Sequence, residues 1–514
     1  MKRFLIYIFS GILLLVLADS CNKALEVKPT HELEDGYFNT EDHIQRGIGA
    51  VYAKLTDLYT YNNNAPDERM WLLPGDDLFS NNPYSFDNFS GLNGSAGELA
   101  YVWQALYQVV NRANTMLEKI NENQSVYTTP GLLNYNKGEM LFLRGWAFYK
   151  LWSWWGKAPV VTSRIVGLGD HLYSPPSEGH ELLDTAVADL STASGLLPAA
   201  WPADQTGRVT KDAAWGMLVK CYVTLADYDH QNADDYQKAL EAFSAISSSR
   251  KLVGQYGENF DYRFENNTES LFEFQASESA QENPFLGNDF GEGTGSMGAF
   301  YQFFENSWTN LGTLIGPTQK LVDAFDPLDP RKNETFQNTT DPAWSFDGGY
   351  KFVKYINGDR NKYVGIAAIN SINNYRILRL ADVKLLAAEA FLQTGQTANA
   401  LTEVNDIRSR ARKSTPDGVA STQPAALSLV TMQDIMHERF VELAGEANIR
   451  WDDLRRWNAA GFVDLASWTK EDFGFPPTYS PFKFDAKVHV LMPIPTSEMD
   501  ANPKMLAGGQ NPGY

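Results

Sequence analysis

The segment RLADVKLLAAEAFL, residues 379–392, begins the stretch of this 514-residue chain that decides its fold. From Tyr375 to Trp457, apolar side chains recur at steps of three and four residues, a spacing typical of amphipathic helices. The first predicted helix can end at Gly395 and has an apolar face formed by Ile377, Leu380, Val383, Leu386, Ala390 and Phe391. The second has a buried stripe formed by Leu401, Val404, Ile407 and Ala411. The stretch therefore predicts a helical hairpin.

Charged residues are dense in the same stretch. The last turn of the second predicted helix carries Arg408, Arg410 and Arg412, and cations suit the carbonyl end of the helix dipole. A further amphipathic stripe is formed by Met432, Ile435, Met436, Phe440 and Leu443. A spacing of four residues then predicts two surface ion pairs, Glu446 with Arg450 and Asp452 with Arg456. Each such pair contributes about 0.3 to 0.5 kcal/mol to stability.

Helix pairs with tetratricopeptide-type spacing recur along the chain. They are Gly145-x2-Phe148 with Ala186-x3-Leu190-x2-Ala193, Trp215-x2-Leu218-x3-Tyr222 with Ala239-x3-Phe243-x2-Ile246, and Ala388-x2-Phe391 with Ala400-x3-Val404-x2-Ile407. Helices over residues 101–120 and 134–155 are expected to join them. Stacked pairs of this kind bury a continuous core and make a rigid scaffold. The predicted fold is mainly α, with a tetratricopeptide-like scaffold over about residues 40–250 and 375–460.

The N-terminus predicts export. Lys2 and Arg3 precede an apolar run over residues 4–17, which is too short to span a bilayer but suits the core of a signal peptide. The following LADSC, residues 17–21, resembles a lipoprotein processing site in which Cys21 is acylated, although Asp19 departs from that pattern. We expect a signal peptide over residues 1–20, a tether over 21–30 and a single domain over 31–514. The alternative is a plain secretory signal with a different cleavage position.

The composition of the chain argues against some classes of binding partner. The formal net charge of −20 argues against nucleic-acid binding, which requires clustered Lys and Arg. A hydrophobic fraction of 43% is enough for a large core. The two cysteines are Cys21 and Cys221, and Cys221 lies in an apolar helical pattern, so no disulfide within the chain is expected.

The region of about residues 252–374 differs from the helical blocks. It is rich in Gly, Asn, Asp and aromatic residues, and its poor periodicity predicts an irregular, loop-rich subdomain with short strands. A smaller segment over residues 72–97 has the same character. Loops held by a rigid scaffold often carry binding groups, so we place the ligand surface here.

Sugar binding requires an exposed aromatic platform beside carboxylate, amide or guanidinium groups. Both loop regions contain that mixture, and the candidate ligand-binding residues are Asp77, Asn81, Asn82, Tyr84, Phe86, Asn288, Tyr301, Trp308 and Trp344. The alternative for each aromatic residue is packing on the scaffold. Tryptophans in helical patterns are interpreted as core residues, namely Trp71, Trp103, Trp146, Trp215 and Trp451.

Catalytic and metal motifs are poorly supported. His180-Glu181-Leu182-Leu183-Asp184 lacks the second histidine of a zinc-protease helix, and the glycine pattern over residues 293–298 lacks a βαβ context. Neither a metal site nor a cofactor is expected, and we expect no enzyme; a glycosidase with two spaced carboxylates stays formally open. In VDAFDPLDPR, residues 322–331, closely spaced carboxylates are of the type that coordinates calcium, but the calcium-loop spacing is absent. The prolines instead predict turns in which Asp329 pairs with Arg331 or with a helix end.

Several motifs together resemble the SusD/RagB family of outer-membrane nutrient-binding lipoproteins. They are RLADVKLLAAEAFL (379–392), VNDIRSRAR (404–412), HERFVELAGEANIRWDDLRRW (437–457), LMPIP (491–495), NPGY (511–514) and LFLRGWAFYKLWSWWGKAPVV (141–161). Glu498 and Asn502-Pro503 agree with the same C-terminal signature, which falls in residues 461–514. The resemblance covers nearly the whole chain.

That resemblance implies a role in nutrient capture. Family members are lipid-anchored on the outer face of the outer membrane and cover a TonB-dependent barrel of the SusC/RagA type. The implied function is capture of an oligosaccharide, without chemistry, and delivery to that transporter. The alternatives are a peptide-binding lid of a RagAB-type peptide importer and a repeat-type adaptor that binds only proteins.

Overall fold

The computed structural model of the protein describes residues 34–59, 68–80, 84–165, 173–276, 315–338, 350–355, 373–446 and 448–514. The helices in these residues are α1 (Glu34–Tyr37), α2 (Glu41–Ala53), α3 (Thr56–Tyr59), α4 (Glu68–Leu72), α5 (Ser85–Asn88), α6 (Gly97–Glu122), α7 (Leu132–Trp155), α8 (Glu181–Leu196), α9 (Lys211–Tyr228), α10 (Ala233–Ser244), α11 (Gln319–Ala324), α12 (Arg331–Thr335), α13 (Leu380–Gln393), α14 (Thr397–Lys413), α15 (Met432–Glu442), α16 (Ile449–Ala460), α17 (Ala486–His489), α18 (Thr496–Ala501) and α19 (Pro503–Gly508). The strands are β1 (Leu78–Ser80), β2 (Ser270–Phe274), β3 (Ile315–Pro317), β4 (Phe336–Asn338), β5 (Tyr350–Phe352) and β6 (Tyr375–Arg379).

The long helices stack in chain order. Helix α6 packs on α7, α7 on α8, α8 on α9 and α9 on α10, and α10 then contacts α13, which packs on α14. Close approach is built into the sequence at Gly145, where an added Cβ would lie 3.0 Å from the carbonyl oxygen of Ala186. The three predicted helix pairs and the mainly α, tetratricopeptide-like scaffold are confirmed.

Helix α7 runs through the centre of the core. Its side chains are buried on nearly all sides, including those of Trp146, Trp154 and Trp155, as expected of a helix that is apolar all round. Of the other predicted core tryptophans, Trp71, Trp103 and Trp451 are buried, and Trp215 is half-buried against the same core.

The prediction of a helix beginning before Leu380 was wrong. Residues 375–379 form strand β6, which pairs antiparallel with β2, and Phe274 lies opposite Tyr375. The backbone groups of this segment bond to a strand about a hundred residues earlier, so the chain stays extended until α13 begins at Leu380. Ile377 therefore belongs to the sheet and not to the helix face.

The loop-rich region contains the expected short strands. Strand β1 pairs with β3 and β4 with β5, both antiparallel. The same region also holds the short helices α11 and α12 and two 3-10 turns over residues 256–260 and 262–264. No helix among the described residues is both long enough and apolar enough to cross a bilayer.

The C-terminal motif residues complete the carbonyl end of α7. The Asn511 amide donates to the carbonyl oxygen of Trp155 at 2.9 Å and to that of Met492 at 2.7 Å. The Trp155 indole N–H donates to the carbonyl oxygen of Pro493 at 3.0 Å. Asn502 caps α19 by accepting two backbone N–H bonds at its start. These residues hold together segments that are far apart in the chain.

Candidate functional site

The two strands of one small sheet adjoin, in the sequence, segments that carry candidate ligand residues. Strand β1 ends at Ser80, which lies opposite Ile315, the first residue of β3. Because the strands are antiparallel, the last residue of β1 and the first residue of β3 lie side by side.

The other two sheets adjoin the remaining segments in the sequence. The end of β2 at Phe274 lies opposite the beginning of β6 at Tyr375. In the third sheet Asn338 lies opposite Tyr350, and the connection between them contains Trp344. Strand β3 also contacts β5. The loop-rich part of the chain is therefore fixed at its strand ends.

Two buried carboxylates, those of Asp76 and Asp77, directly precede β1 in the chain. Burial alone would raise the pKa of Asp76. The cations Arg450 at 2.8 Å and Lys320 at 2.7 Å have the larger effect and hold that pKa below 3.8. Asp77 accepts the N–H of Gly445 at 2.9 Å, and burial raises the pKa of Asp77 to about 6. Asp77 is 2% exposed, so this predicted ligand residue lies in the interior and ties β1 to the end of α15.

The Asp87 carboxylate bridges the backbone of Ser80 and Tyr84. It accepts the N–H of Ser80 at 3.1 Å and the N–H of Tyr84 at 2.9 Å. The Tyr84 side chain is half-buried at the rim, whereas Phe86 is 2% exposed and packs in the core. Because α5 directs Phe86 inward, its side chain does not face solvent. The other predicted residues, Cys21, Asn81, Asn82, Asn288, Tyr301, Trp308 and Trp344, lie outside the described part of the chain.

An exposed aromatic pair was missed by the sequence analysis. In the 3-10 turn over residues 262–264, Tyr262 is 37% exposed and Phe264 is 43% exposed. Between them Arg263 pairs with Asp261, with its Nε 2.9 Å from a carboxylate oxygen. The next residue, Glu265, accepts the N–H of Asn374 at 2.7 Å, so the turn lies beside the entry to β6. This turn combines aromatic, guanidinium and carboxylate groups in the way that sugar binding requires. The signal in the sequence was the alternation of aromatic and polar residues in DYRFE, residues 261–265.

A group of buried ion pairs links segments between residues 269 and 446, and we call it the buried charge frame. Its members are Glu269, Asp329, Arg331, Lys354, Arg379, Arg410, Glu438, Glu442 and Glu446. All are nearly inaccessible to solvent. The predicted pairing of Asp329 with Arg331 is confirmed, at 2.8 Å. The frame connects β2, β6, α12, α14 and α15, and so fixes the ends of the loop-rich region.

The predicted surface ion pairs were wrong. Glu446 pairs with Arg379 and Lys354, each at 2.7 Å, because the chain turns at Gly445 and leaves the helical geometry that the four-residue spacing assumed. Arg450 instead reaches Asp76. Farther along, Asp452 pairs with Arg455, and Arg456 pairs with three interior carboxylates, those of Asp227, Glu389 and Asp453.

The frame keeps the pKa of Glu442 low despite burial. Burial opposes the charge of Glu442, but Arg410, Arg379 and Arg331 surround it and hold its pKa well below 4.5. Burial lowers the pKa of Lys354 to about 8, although Glu446 at 2.7 Å favours its charged form. Among the described residues no group of three His, Cys, Asp or Glu side chains is placed to hold a metal ion.

Family models match both halves of the chain. Residues 331–514 match the model described as the SusD family. Residues 23–223 match a model described as starch-binding and associating with the outer membrane. The two matches do not overlap, and residues 224–330 lie between them.

Individual proteins agree with these models. SusD-like protein P25 of Formosa agariphila is 24% identical over an alignment that spans 100% of this chain and 99% of the relative. A SusD homolog from Bacteroides thetaiotaomicron superposes with a TM-score of 0.75 at 21% identity, over 94% of this chain and 99% of its own. A solved structure described as a laminarin-binding SusD-like protein superposes with a TM-score of 0.67 at 22% identity, over 93% of this chain and 100% of its own.

Proposed function

The chain belongs to the SusD family, and on that premise we propose that it is a cell-surface lipoprotein that captures an oligosaccharide and delivers it to a TonB-dependent outer-membrane transporter. The role is binding without chemistry. The observation that carries the proposal is the antiparallel pairing of β1 with β3 beside the buried Asp76 and Asp77, because these strands adjoin the two candidate ligand segments in the sequence.

Binding of a ligand costs less when the residues that anchor the binding groups are already rigid. The buried charge frame and the Asp76 and Asp77 contacts fix the strand ends from which the loops begin. Preorganised anchor points lower the ordering cost of binding. The loops themselves supply the aromatic and amide groups that recognise sugar rings and hydroxyls.

We assign the ligand contacts to two groups of residues. The first consists of the loop residues Asn81, Asn82, Tyr84, Asn288, Tyr301, Trp308 and Trp344. The second is the exposed turn with Tyr262 and Phe264. Asp77 and Phe86 are buried, so we assign them a structural part and no ligand contact. The laminarin-binding protein of similar fold is consistent with a carbohydrate ligand.

Anchoring follows from the N-terminal sequence. Acylation of Cys21, after removal of residues 1–20, would hold the domain at the outer membrane through the tether over residues 21–30. A partner transporter of the SusC/RagA type would receive the captured oligosaccharide. The Cys21→Ala variant is expected to leave the membrane fraction and to lose co-purification with that transporter in mild detergent.

The test of the binding role is an array of polysaccharides and oligosaccharides probed with the protein from Asn22 onward, with a parallel assay for released reducing sugar. Binding without release is the expected result. Release of sugar by the pure protein would show an enzyme instead. Binding of peptides with no response to any glycan would favour a peptide importer and contradict the proposal.

A further inference from the structure

A basic cleft of about 420 Å³ opens between the end of α14 and residues 250–254. Five of its lining residues are cationic, Arg250, Lys251, Lys384, Arg410 and Lys413, and the lining carboxylate is that of Asp406. The whole chain has 63 acidic and 43 basic residues, so this local excess of cations runs against the composition. The volume lies within the range of small-molecule sites.

Three of the five cations are held rigidly. Arg250 bonds to Asp212 at 3.0 Å and to the carbonyl oxygen of Ser270 at 2.7 Å. Arg410 bonds to Glu269 at 3.0 Å within the buried charge frame. Lys384 pairs with Asp406 at 3.1 Å and with Glu403. The walls of the cleft are therefore preorganised by contacts behind them.

The remaining donors lack acceptors within the described residues. Lys251 and Lys413 are exposed and form no ion pair in that part of the chain. The Nε of Arg410 is buried and has no hydrogen-bond acceptor there. The helix dipole explains cations at the end of α14, but Arg250 and Lys251 come from a separate segment and converge on the same space.

From this geometry we infer that the cleft binds an anionic group, a sulfate or a carboxylate, carried by the oligosaccharide that the protein captures. The inference rests on the proposed function, and it narrows the ligand class to acidic saccharides. Lysine ammonium groups from two segments supply charge, and the half-buried hydroxyl of Ser409 in the lining supplies a further donor. The residues that line the cleft do not include Tyr262 or Phe264, so the cleft is distinct from the exposed turn.

The test compares matched oligosaccharides on the protein from Asn22 onward. The probes are a chondroitin sulfate tetrasaccharide, the same tetrasaccharide after desulfation and carboxyl reduction, and sodium sulfate at constant ionic strength. Calorimetric titration is expected to show about tenfold tighter binding of the acidic than of the neutral tetrasaccharide. The Lys251→Glu/Lys413→Glu variant is expected to lose that preference and its response to sulfate.

The matched control is Lys487→Glu/Lys504→Glu, which changes the net charge equally at exposed lysines outside the cleft lining. The control variant should still bind the acidic tetrasaccharide more tightly than the neutral one. If both variants lose this preference equally, the effect comes from net charge, and binding of the anionic group in the cleft is contradicted. Binding of the acidic and neutral probes with equal affinity would also overturn the cleft, while leaving glycan capture intact. Sulfate binding that depends on Lys251 and Lys413, without binding of any saccharide, would support the cleft and contradict the proposed function.

Discussion

The buried charge frame and the Tyr262–Phe264 turn both contain an arginine paired with a carboxylate, but in opposite environments. Arg379 meets Glu446 with only 1% of its side chain exposed, whereas Arg263 meets Asp261 with 67% exposed. The local contact is similar in the two places. Burial decides the difference, because a charge without a partner is costly in the interior and harmless in water. The frame therefore stabilises the fold, whereas the exposed turn is the proposed ligand contact.

The largest effect is expected from breaking the frame. Replacing Arg379 with Met removes a cation that Glu269, Glu442 and Glu446 share, so the remaining cations Arg331, Lys354 and Arg410 balance these buried carboxylates less completely. We expect a loss of about 3 to 5 kcal/mol in the free energy of unfolding. Urea denaturation measures it. The Arg263→Met variant is the control and should unfold at the same urea concentration as the unsubstituted protein. Equal stability of both variants would remove the distinction between the two regions.

The turn at Gly445 offers a second test of the frame. Gly445 has φ +64°, and an added Cβ would lie 2.3 Å from Cζ of Phe352. Gly445→Ala is therefore expected to cost about 2 to 4 kcal/mol, from backbone strain together with the clash. Gly461→Ala is the control, since Gly461 has φ +80° and nothing within 4 Å of the added Cβ. It should show only the backbone cost, and a loss as large as that at Gly445 would contradict the packing argument.

Asp77 should make stability depend on pH in a definite direction. Burial raises its pKa from 3.8 to about 6, so the folded protein holds a proton that the unfolded chain has lost between those values. The favourable contribution of the protonated Asp77 to the free energy of unfolding is complete below pH 3.8 and is lost as pH rises through about 6, a change on the order of 3 kcal/mol.

The Asp77→Asn variant keeps an oxygen for the Gly445 N–H and cannot ionise. Relative to the unsubstituted protein, its free energy of unfolding should therefore rise between pH 4 and pH 7. Urea denaturation at several pH values measures this difference. A difference that stays constant with pH would show that Asp77 does not ionise in this window.

The smallest effect on stability is expected at the exposed turn. Tyr262→Ala/Phe264→Ala should leave the free energy of unfolding nearly unchanged, because both rings are exposed. Glycan affinity should fall about tenfold, since aromatic platforms contribute roughly 0.5 to 1.5 kcal/mol each. Leu328→Ala/Leu429→Ala removes two exposed apolar side chains elsewhere and should leave binding intact. If only the Leu328→Ala/Leu429→Ala variant lost affinity, the ligand would bind at a surface other than the turn.

Local signals predicted the scaffold well. Helix periodicity depends on residues three and four apart, so the pairs around Gly145, Trp215 and Ala388 could be identified from neighbouring positions. Strand β6 could not, because its extended form depends on β2, about a hundred residues away. Local spacing favoured a helix there, and long-range pairing determined the strand.

Charge partners and site residues were harder for the same reason. Four-residue spacing paired Glu446 with Arg450, but their partners, Arg379 and Asp76, lie 67 and 374 positions away in the chain. The local composition favoured Asp77 and Phe86 as ligand residues. It could not predict that distant segments of the chain bury both side chains. Tyr262 and Phe264 were overlooked because the alternation of aromatic and polar residues over 261–265 does not by itself separate an exposed aromatic residue from a packed one.

The bond from Asn511 to the end of α7 has a consequence for the order of folding. The Trp155 carbonyl receives this donor only when a residue 356 positions later has arrived. Closing so long a loop is slow compared with forming a single helix pair, and the early helices gain that contact only at the end. The scaffold should therefore complete its folding as one cooperative unit after Asn511 is available. A chain shortened before Asn511 would be expected to refold to a looser, protease-sensitive state with its helices largely formed.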